Sequence, residues 1–161
     1  NEENRIMNGS AGINFRVNYS KEKKFNVGIG ASPSYNFSNS SIRSDISTNY
    51  WLQNYNLNYN IYMGKKWELS GDLNANIRQK TEAFPTNNNA VLWNMWLDRK
   101  FTKKNNLKLR LYAFDILNQN IGFRRTINTN LVSERTYNTI NRYLMFSLLW
   151  NFSKNGKPMS F

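Results

Sequence analysis

Glu68 and Asp72 are the two acidic residues whose spacing comes nearest to a catalytic pair. On a β-strand both side chains lie on one face, and glycosidases use a pair of carboxyl groups for general acid–base chemistry. Four strand residues span about 13 Å at about 3.3 Å each, however, which is too far for such a pair. The 161 residues include no histidine and no cysteine, which excludes Ser-His-Asp and Cys-His catalysis, zinc sites, haem ligation and disulfides. We therefore predict a protein that is not an enzyme and has no cofactor and no metal site.

The elements that position these residues are β-strands, because apolar residues recur at every second position along most of the chain. In the first stretch, Ala11, Ile13 and Phe15 alternate with Gly12 and Asn14. The same alternation recurs in seven stretches: 11–19, 25–37, 55–63, 67–77, 91–97, 107–113 and 144–152. No stretch shows the 3.6-residue period of a helix. The pattern predicts an all-β, antiparallel chain.

The connections between these strands alternate in length. Three short turns carry lysine pairs at 23–24, 65–66 and 103–104, and three long polar connections cover 38–53, 79–89 and 115–142. Short turns on one side and long loops on the other are typical of outer-membrane β-barrels, whose short turns face the periplasm. The strand lengths also suit a bilayer, which a tilted strand crosses with about 9–11 residues. We predict an antiparallel transmembrane β-barrel segment of about seven strands, with short periplasmic turns and long extracellular loops.

Aromatic residues lie at both ends of the apolar strand faces, as the girdles of membrane barrels do. The set beside the short turns is Tyr19, Phe25, Trp67 and Phe101. The set towards the long loops is Tyr35, Phe37, Tyr55 and Trp93. The core of a soluble β-sandwich is the alternative, but the opposite strand faces are crowded with Asn, Ser, Gly and charged residues, which favours a wet lumen. The predicted lumen charges are Arg16, Glu68, Asp72, Arg78, Asp98, Lys108 and Arg110.

Three features depart from simple alternation. Pro33 lies inside the second predicted strand and has no N–H to donate, which predicts a bulge or a strand end there. Trp96, Tyr112 and Phe114 lie on the polar face, which predicts packing in the lumen against another segment. Asp115 follows the sixth strand, and we expect it to order a turn or loop, because aspartate stabilises turns through backbone hydrogen bonds.

The number of strands is odd, whereas single-chain bacterial outer-membrane barrels have an even number. The candidate eighth strand, 121–131, contains Arg124 and Arg125 and has no lipid-facing run, so we expect it to be the upper part of a long external hairpin. We therefore expect the chain to be the C-terminal part of a larger barrel. A complete eight-stranded barrel is the alternative.

The net charge of +12, together with 15% aromatic residues, is a composition that nucleic-acid-binding proteins also show. Seven lysines, however, lie in or beside the three short turns: Lys21, Lys23, Lys24, Lys65, Lys66, Lys103 and Lys104. They form a rim that could contact anionic phospholipid head groups. We therefore predict no nucleic-acid partner.

The last third of the chain contains two distinctive segments. Residues 109–120 are LRLYAFDILNQN, and residues 141–154 are NRYLMFSLLWNFSK. They resemble the C-terminal end of TonB-dependent-receptor-like outer-membrane β-barrel proteins of the Bacteroidota type, in which a strand leads into D-x-x-N-Q-N and a closing strand follows the pattern R-Y-φ-x-φ-S-φ-x-x-N-F. The resemblance is close over about 107–155, and upstream it depends on the barrel pattern alone.

This resemblance implies a bacterial outer-membrane location and a parent protein with a 22-stranded barrel and an N-terminal plug. Such a parent imports a large or scarce nutrient with energy passed on by TonB; this chain shows no plug and no TonB box. The alternative is a structural or scaffolding outer-membrane barrel without transport activity. The implied partners are outer-membrane lipid, the rest of the barrel and its plug, the barrel-assembly machinery, and TonB through the parent protein.

The final apolar residues Leu148, Trp150 and Phe152 resemble the C-terminal signal that the barrel-assembly machinery recognises. We accordingly expect barrel strands over 1–152 and a C-terminal tail over 153–161.

Overall fold

The computed structural model describes residues 5–42, 48–81, 89–101, 106–128 and 131–151. The strands in this part of the chain are β1 (Ile6–Gly12), β2 (Phe15–Lys21), β3 (Phe25–Ser40), β4 (Thr48–Met63), β5 (Trp67–Arg78), β6 (Ala90–Lys100), β7 (Leu107–Phe114), β8 (Gly122–Asn128), β9 (Leu131–Tyr137) and β10 (Tyr143–Trp150). The main sheet has the order β1-β3-β4-β5-β6-β7-β10, and β2 also pairs with β3. Every pairing is antiparallel, so the predicted all-β antiparallel fold is confirmed. Among the described residues, no helix has the length and apolar character needed to cross a membrane.

The two-residue period explains the register of the sheet. In β4, Leu57 lies between Ile29 of β3 and Leu73 of β5, so apolar residues meet apolar residues on one face. The next residue, Asn58, lies between Gly28 and Asp72 on the other face. Slipping the pairing by one residue would exchange the two faces, so the alternation specifies the register.

The main sheet has seven strand positions, as predicted, because β1 and β2 lie end to end beside β3. The candidate eighth strand is β8, which pairs with β9 in a separate two-stranded sheet, as expected for an external hairpin. The short connections 22–24, 64–66 and 101–106 lie at one end of the sheet, the short-turn end, and the long connections lie at the other, the long-loop end. Lys103 and Lys104 lie outside the described residues.

β3 continues through Pro33, so the prediction of a bulge or strand end there is wrong. Pro33 pairs with Gln53 of β4 without a change of register. The interruption lies in the neighbouring strand, between β1 and β2, where the Pro33 carbonyl accepts a hydrogen bond of 3.0 Å from the Ile13 N–H. The Pro33 nitrogen, which carries no hydrogen, faces this edge strand and not β4. The β3–β4 ladder therefore loses no hydrogen bond and needs no bulge.

β3 and β4 are longer than the alternation predicted, at 16 residues each. The predicted long connection 38–53 is reduced to 41–47, which corrects that boundary. Sixteen residues span about 50 Å at about 3.3 Å each, more than the ~30 Å hydrocarbon core of a bilayer. Strand residues beyond that core need no apolar face, which explains why Ser, Thr and Asn occupy them.

The main sheet has an apolar face and a polar face. The apolar face carries the odd-numbered residues of β1–β7 and the even-numbered residues of β10, and much of it is exposed: Val17 is 67% and Leu144 is 72% accessible. The polar face carries Asn, Ser and Gly with charged residues, and it contains the fully buried side chains of Asp98 and Ser70. The sheet is open, and within the described chain its two edges are β1–β2 and β10.

Candidate functional site on the polar face

An ion cluster on the polar face joins β6 to β7. Asp98 lies opposite Arg110 in the register, and its two carboxylate oxygens accept hydrogen bonds from Arg110 Nε at 2.5 Å and Nη2 at 2.6 Å. Lys108 Nζ lies 3.0 Å from Asp98 Oδ2, and the Lys108 side chain is only 7% exposed. Bidentate pairs of this kind are among the strongest hydrogen bonds in proteins. The cluster therefore holds its three side chains in one geometry, and the carboxylate is fully engaged rather than available for acid–base chemistry.

An aromatic column continues from the ion cluster along the polar face. It consists of Trp96, Tyr112, Phe114 and Tyr143, whose successive ring centroids lie 5.8, 5.0 and 4.5 Å apart. Arg110 connects the column to the cluster, because its Nη1 donates to the Tyr112 hydroxyl at 2.6 Å and its guanidinium lies 5.7 Å from the Trp96 ring centroid. The polar-face aromatics thus pack on one another and on Tyr143 within the sheet, and packing against a further segment in the lumen stays a prediction. Ring faces bordered by a hydroxyl and a guanidinium can stack against a flat, partly polar group.

The Asp115 turn, defined as residues 115–120, closes the column at the long-loop end. The Asp115 carboxylate accepts hydrogen bonds from the backbone N–H groups of Gln119 and Asn120, each at 2.9 Å. Asp115 and Asn118 both have positive φ, 47° and 55°, a conformation that Asp and Asn tolerate better than most residues. Asp115 N–H donates to the Asn94 side chain at 3.0 Å. The predicted turn-ordering role of Asp115 is confirmed.

The same turn also contacts the chain that follows the β8–β9 hairpin. The Asn120 carbonyl accepts a hydrogen bond of 2.6 Å from the Thr139 hydroxyl, and Asn118 Oδ1 accepts one of 3.2 Å from the Arg142 N–H. Gln119 Oε1 accepts one of 2.9 Å from the Val91 N–H of β6. The segment D-x-x-N-Q-N therefore ties β6, β7 and the chain that enters β10 together.

The other predicted lumen charges lie on the polar face but not in the ion cluster. Glu68 Oε2 lies 3.5 Å from Lys100 Nζ, and Asp72 accepts hydrogen bonds from the amides of Asn74 and Asn94. The two carboxylates thus have separate partners and form no catalytic pair. The remaining two are Arg78, whose guanidinium lies 3.8 Å from the Tyr50 ring centroid, and Arg16, which lies opposite Gly30 in the register.

The predicted girdle residues beside the short turns lie on the apolar face. Tyr19 and Phe25 contact each other at 5.7 Å between ring centroids. The Arg99 guanidinium lies 5.0 Å from the rings of both Trp67 and Phe101. This geometry is compatible with an interfacial belt, whose role stays a prediction.

Of the predicted assembly residues, Leu148 and Trp150 are described, and both are exposed on the apolar face of the edge strand β10, at 67% and 64%. Phe152 and the tail 153–161 lie outside the described residues. The recognition of these residues by the assembly machinery stays a prediction.

Sequence reasoning missed two aromatic residues of the main sheet, one on each face. Trp51 stands on the apolar face beside Tyr35, at 5.3 Å between ring centroids, in a part of β4 that was predicted as loop. Tyr143 completes the aromatic column, and its position next to the apolar residue Leu144 could have placed it on the polar face. The stacking on Phe114 depends on the β7–β10 register, which the sequence pattern alone does not contain.

A family model described as "Outer membrane protein beta-barrel family" matches residues 2–150. Neither a curated protein nor a solved structure matches the chain.

Proposed function

Because the chain belongs to the outer membrane protein β-barrel family and is located in the bacterial outer membrane, we propose that it is the C-terminal part of a larger β-barrel receptor. In this proposal the parent protein is TonB-dependent and of the Bacteroidota type, and it takes up a large or scarce nutrient without enzymatic activity. Its partners are the rest of the barrel, a plug, outer-membrane lipid and TonB.

The observation that carries the proposal is the direction of the two edge strands. β1–β2 and β10 both run from the long-loop end to the short-turn end. If these edges paired with each other they would be parallel, whereas outer-membrane barrels pair antiparallel throughout. Antiparallel closure therefore requires an odd number of additional strands, which brings the total to an even number.

A second copy of the same chain does not satisfy this requirement. In the same membrane orientation, its edge strands run in the same direction as those of the first copy, so the pairing between copies would again be parallel. An inverted copy would place the short turns of one chain beside the long loops of the other. Further strands from the parent protein would preserve both the antiparallel ladder and the membrane orientation.

The first test is the size of the native protein in the outer membrane, measured by gel electrophoresis of unboiled and boiled extracts. We expect a heat-modifiable species several times larger than the 19.0 kDa of this chain. A heat-modifiable native species of 19.0 kDa would instead identify a complete small barrel and overturn the proposal.

The second test separates transport from scaffolding. In the aromatic column, Trp96→Ala alters a ring on the polar face, whereas Trp93→Ala makes the same change on the apolar face. A deletion strain is complemented with each variant, at matched levels of the assembled protein, and grown with large nutrients supplied at limiting concentration. Transport predicts that Trp96→Ala slows growth and that Trp93→Ala does not; a scaffold predicts equal complementation.

Dependence on TonB is tested by removing the energy supply of transport, without substituting a residue. Uptake of the nutrient identified by the growth screen should stop when a protonophore collapses the proton motive force, while binding at the cell surface persists. Uptake that continues after collapse would exclude TonB-dependent transport.

We further propose that Leu148, Trp150 and Phe152 form the assembly signal. Exposed apolar side chains on the edge strand β10, which pairs with β7 on its other side, are accessible to another protein. Trp150→Asn should therefore reduce the fraction of protein that reaches the heat-modifiable form. Leu149→Asn is the matched control on the polar face; an equal loss with both variants would indicate general destabilisation instead of a recognition signal.

A further inference from the structure

A cavity of about 780 Å³ lies at the short-turn end of the sheet, between the turns 22–24 and 64–66. Lys23, Lys65 and Lys66 line it, and the acidic residue in its lining is Glu22. Lys23 Nζ lies 3.6 Å from Glu22, but both side chains are 88% exposed, and ion pairs this accessible to water contribute little. The cavity is therefore positively charged overall.

The wall of the cavity belongs to the polar face of the sheet. Ser20, Asn26 and Tyr62 line it, and they are the even-numbered residues of β2, β3 and β4. The Ser20 hydroxyl donates to Asn26 Oδ1 at 2.5 Å, and Asn26 Nδ2 donates to the Tyr62 hydroxyl at 3.4 Å. Hydroxyl and amide groups beside the lysines provide the hydrogen bonds that an anionic polar ligand needs in addition to charge.

We propose that this lysine cavity binds a carboxylate-rich peptide segment at the periplasmic mouth of the barrel. Short turns face the periplasm in this class of barrel, and the polar face is the one directed away from lipid. The cavity is consequently more accessible to a polypeptide in the lumen mouth than to a phospholipid head group beside the apolar face. The cavity is open to solvent, and its volume of about 780 Å³ is larger than a single phosphate needs. The inference does not depend on nutrient uptake.

The test measures the binding of a fluorescent peptide of alternating glutamate and serine residues to the full-length native protein in a neutral detergent. The test variant is Lys65→Gln/Lys66→Gln. The matched control, Lys21→Gln/Lys24→Gln, removes the same charge from the same end of the sheet, but neither residue lines the cavity. At about 50 mM salt we expect the test variant to bind roughly tenfold more weakly and the control to change by less than about twofold, because direct contacts with the peptide are stronger than interactions across solvent.

A rescue variant keeps the charge. Lys65→Arg/Lys66→Arg should retain most of the affinity for the peptide, and each variant is first checked for the heat-modifiable form of the assembled barrel. If the arginine variant binds as weakly as the glutamine variant, charge is not the cause and the proposal is overturned.

Three further outcomes would overturn it. The first is no binding of the peptide, and the second is equal weakening in the test and control variants, which would indicate a diffuse charged rim. The third is a site for another anion. Millimolar phosphate that displaces the peptide at constant ionic strength would show a phosphate site. Binding to phosphatidylglycerol nanodiscs that the test variant loses, and that the peptide does not compete with in the wild type, would show a lipid site.

Discussion

Replacing Asp98 by asparagine removes the anion that holds two cations on the polar face. In the wild-type sheet the carboxylate is fully buried, forms a bidentate pair with Arg110 at 2.5 and 2.6 Å, and lies 3.0 Å from Lys108 Nζ. Removing one partner of a buried ion pair typically costs about 3–5 kcal/mol, because the remaining charge is uncompensated. Here Arg110 also donates to Tyr112 and its side chain is 18% exposed, so we expect a value near the lower limit, about 3 kcal/mol.

The assay is urea unfolding of the native protein reconstituted in phospholipid vesicles, followed by tryptophan fluorescence. With a slope of about 2 kcal/mol per molar urea, a loss of about 3 kcal/mol lowers the midpoint by about 1.5 M. Asp72→Asn is the matched control, because its carboxylate accepts hydrogen bonds from the amides of Asn74 and Asn94. We expect that variant to lose no more than about 1 kcal/mol.

Adding Arg110→Met to the Asp98→Asn variant tests whether the unpaired Arg110 cation causes the loss of stability. If the cost comes from an unpaired cation, the double variant should recover part of the stability that the single variant loses. Two results would refute the role assigned to the ion cluster. One is a urea midpoint for Asp98→Asn that is no lower than that of Asp72→Asn. The other is a double variant whose loss of stability equals the sum of the losses of the two single variants, Asp98→Asn and Arg110→Met.

Three further predictions address the turn, the faces and the packing. Asp115→Ala removes the acceptor of two backbone N–H groups and leaves alanine at positive φ, so amide hydrogen exchange within the turn should accelerate about 30-fold, equivalent to about 2 kcal/mol. In single-tryptophan variants, brominated lipid should quench Trp67 on the apolar face and leave Trp96 on the polar face unquenched; the reverse would contradict the face assignment. Gly71→Ala would place a methyl group 2.6 Å from the Tyr59 ring, and the urea midpoint should show a loss of about 2 kcal/mol.

The faces and the strand count could be predicted from the sequence because both depend on a local property, the two-residue period. Burial is needed only where a strand crosses the bilayer, so the alternation is clear in that region. The upper parts of β3 and β4 carry polar residues on both faces, so the alternation fades there although the strands still pair and Tyr35 contacts Trp51. For this reason the connection 38–53 was predicted too long and Trp51 was predicted to lie in a loop.

Pro33 and the aromatic column depended instead on non-local information. The effect of a proline in a strand depends on which neighbour its nitrogen faces, and this follows from the register with β1–β2 rather than from the residues around Pro33. In the same way, Asp98 and Arg110 were each predictable as lumen charges, but their pairing requires the β6–β7 register. Residue types alone could therefore assign these side chains to a face of the sheet, but they could not predict which of them contact each other.

The Asp115 turn connects the polar face to the long-loop end of the sheet. Its side-chain hydrogen bonds to β6 and its contacts with Thr139 and Arg142 hold the base of the β8–β9 hairpin on both sides. A connection that only joined β7 to β10 would need no such bonds, since surface loops generally tolerate disorder and variation. Fixing the base restricts where the β8–β9 hairpin leaves the main sheet. Asp98 and Asp115, the buried carboxylates at the two ends of the aromatic column, therefore act alike, because each holds neighbouring groups in place through hydrogen bonds.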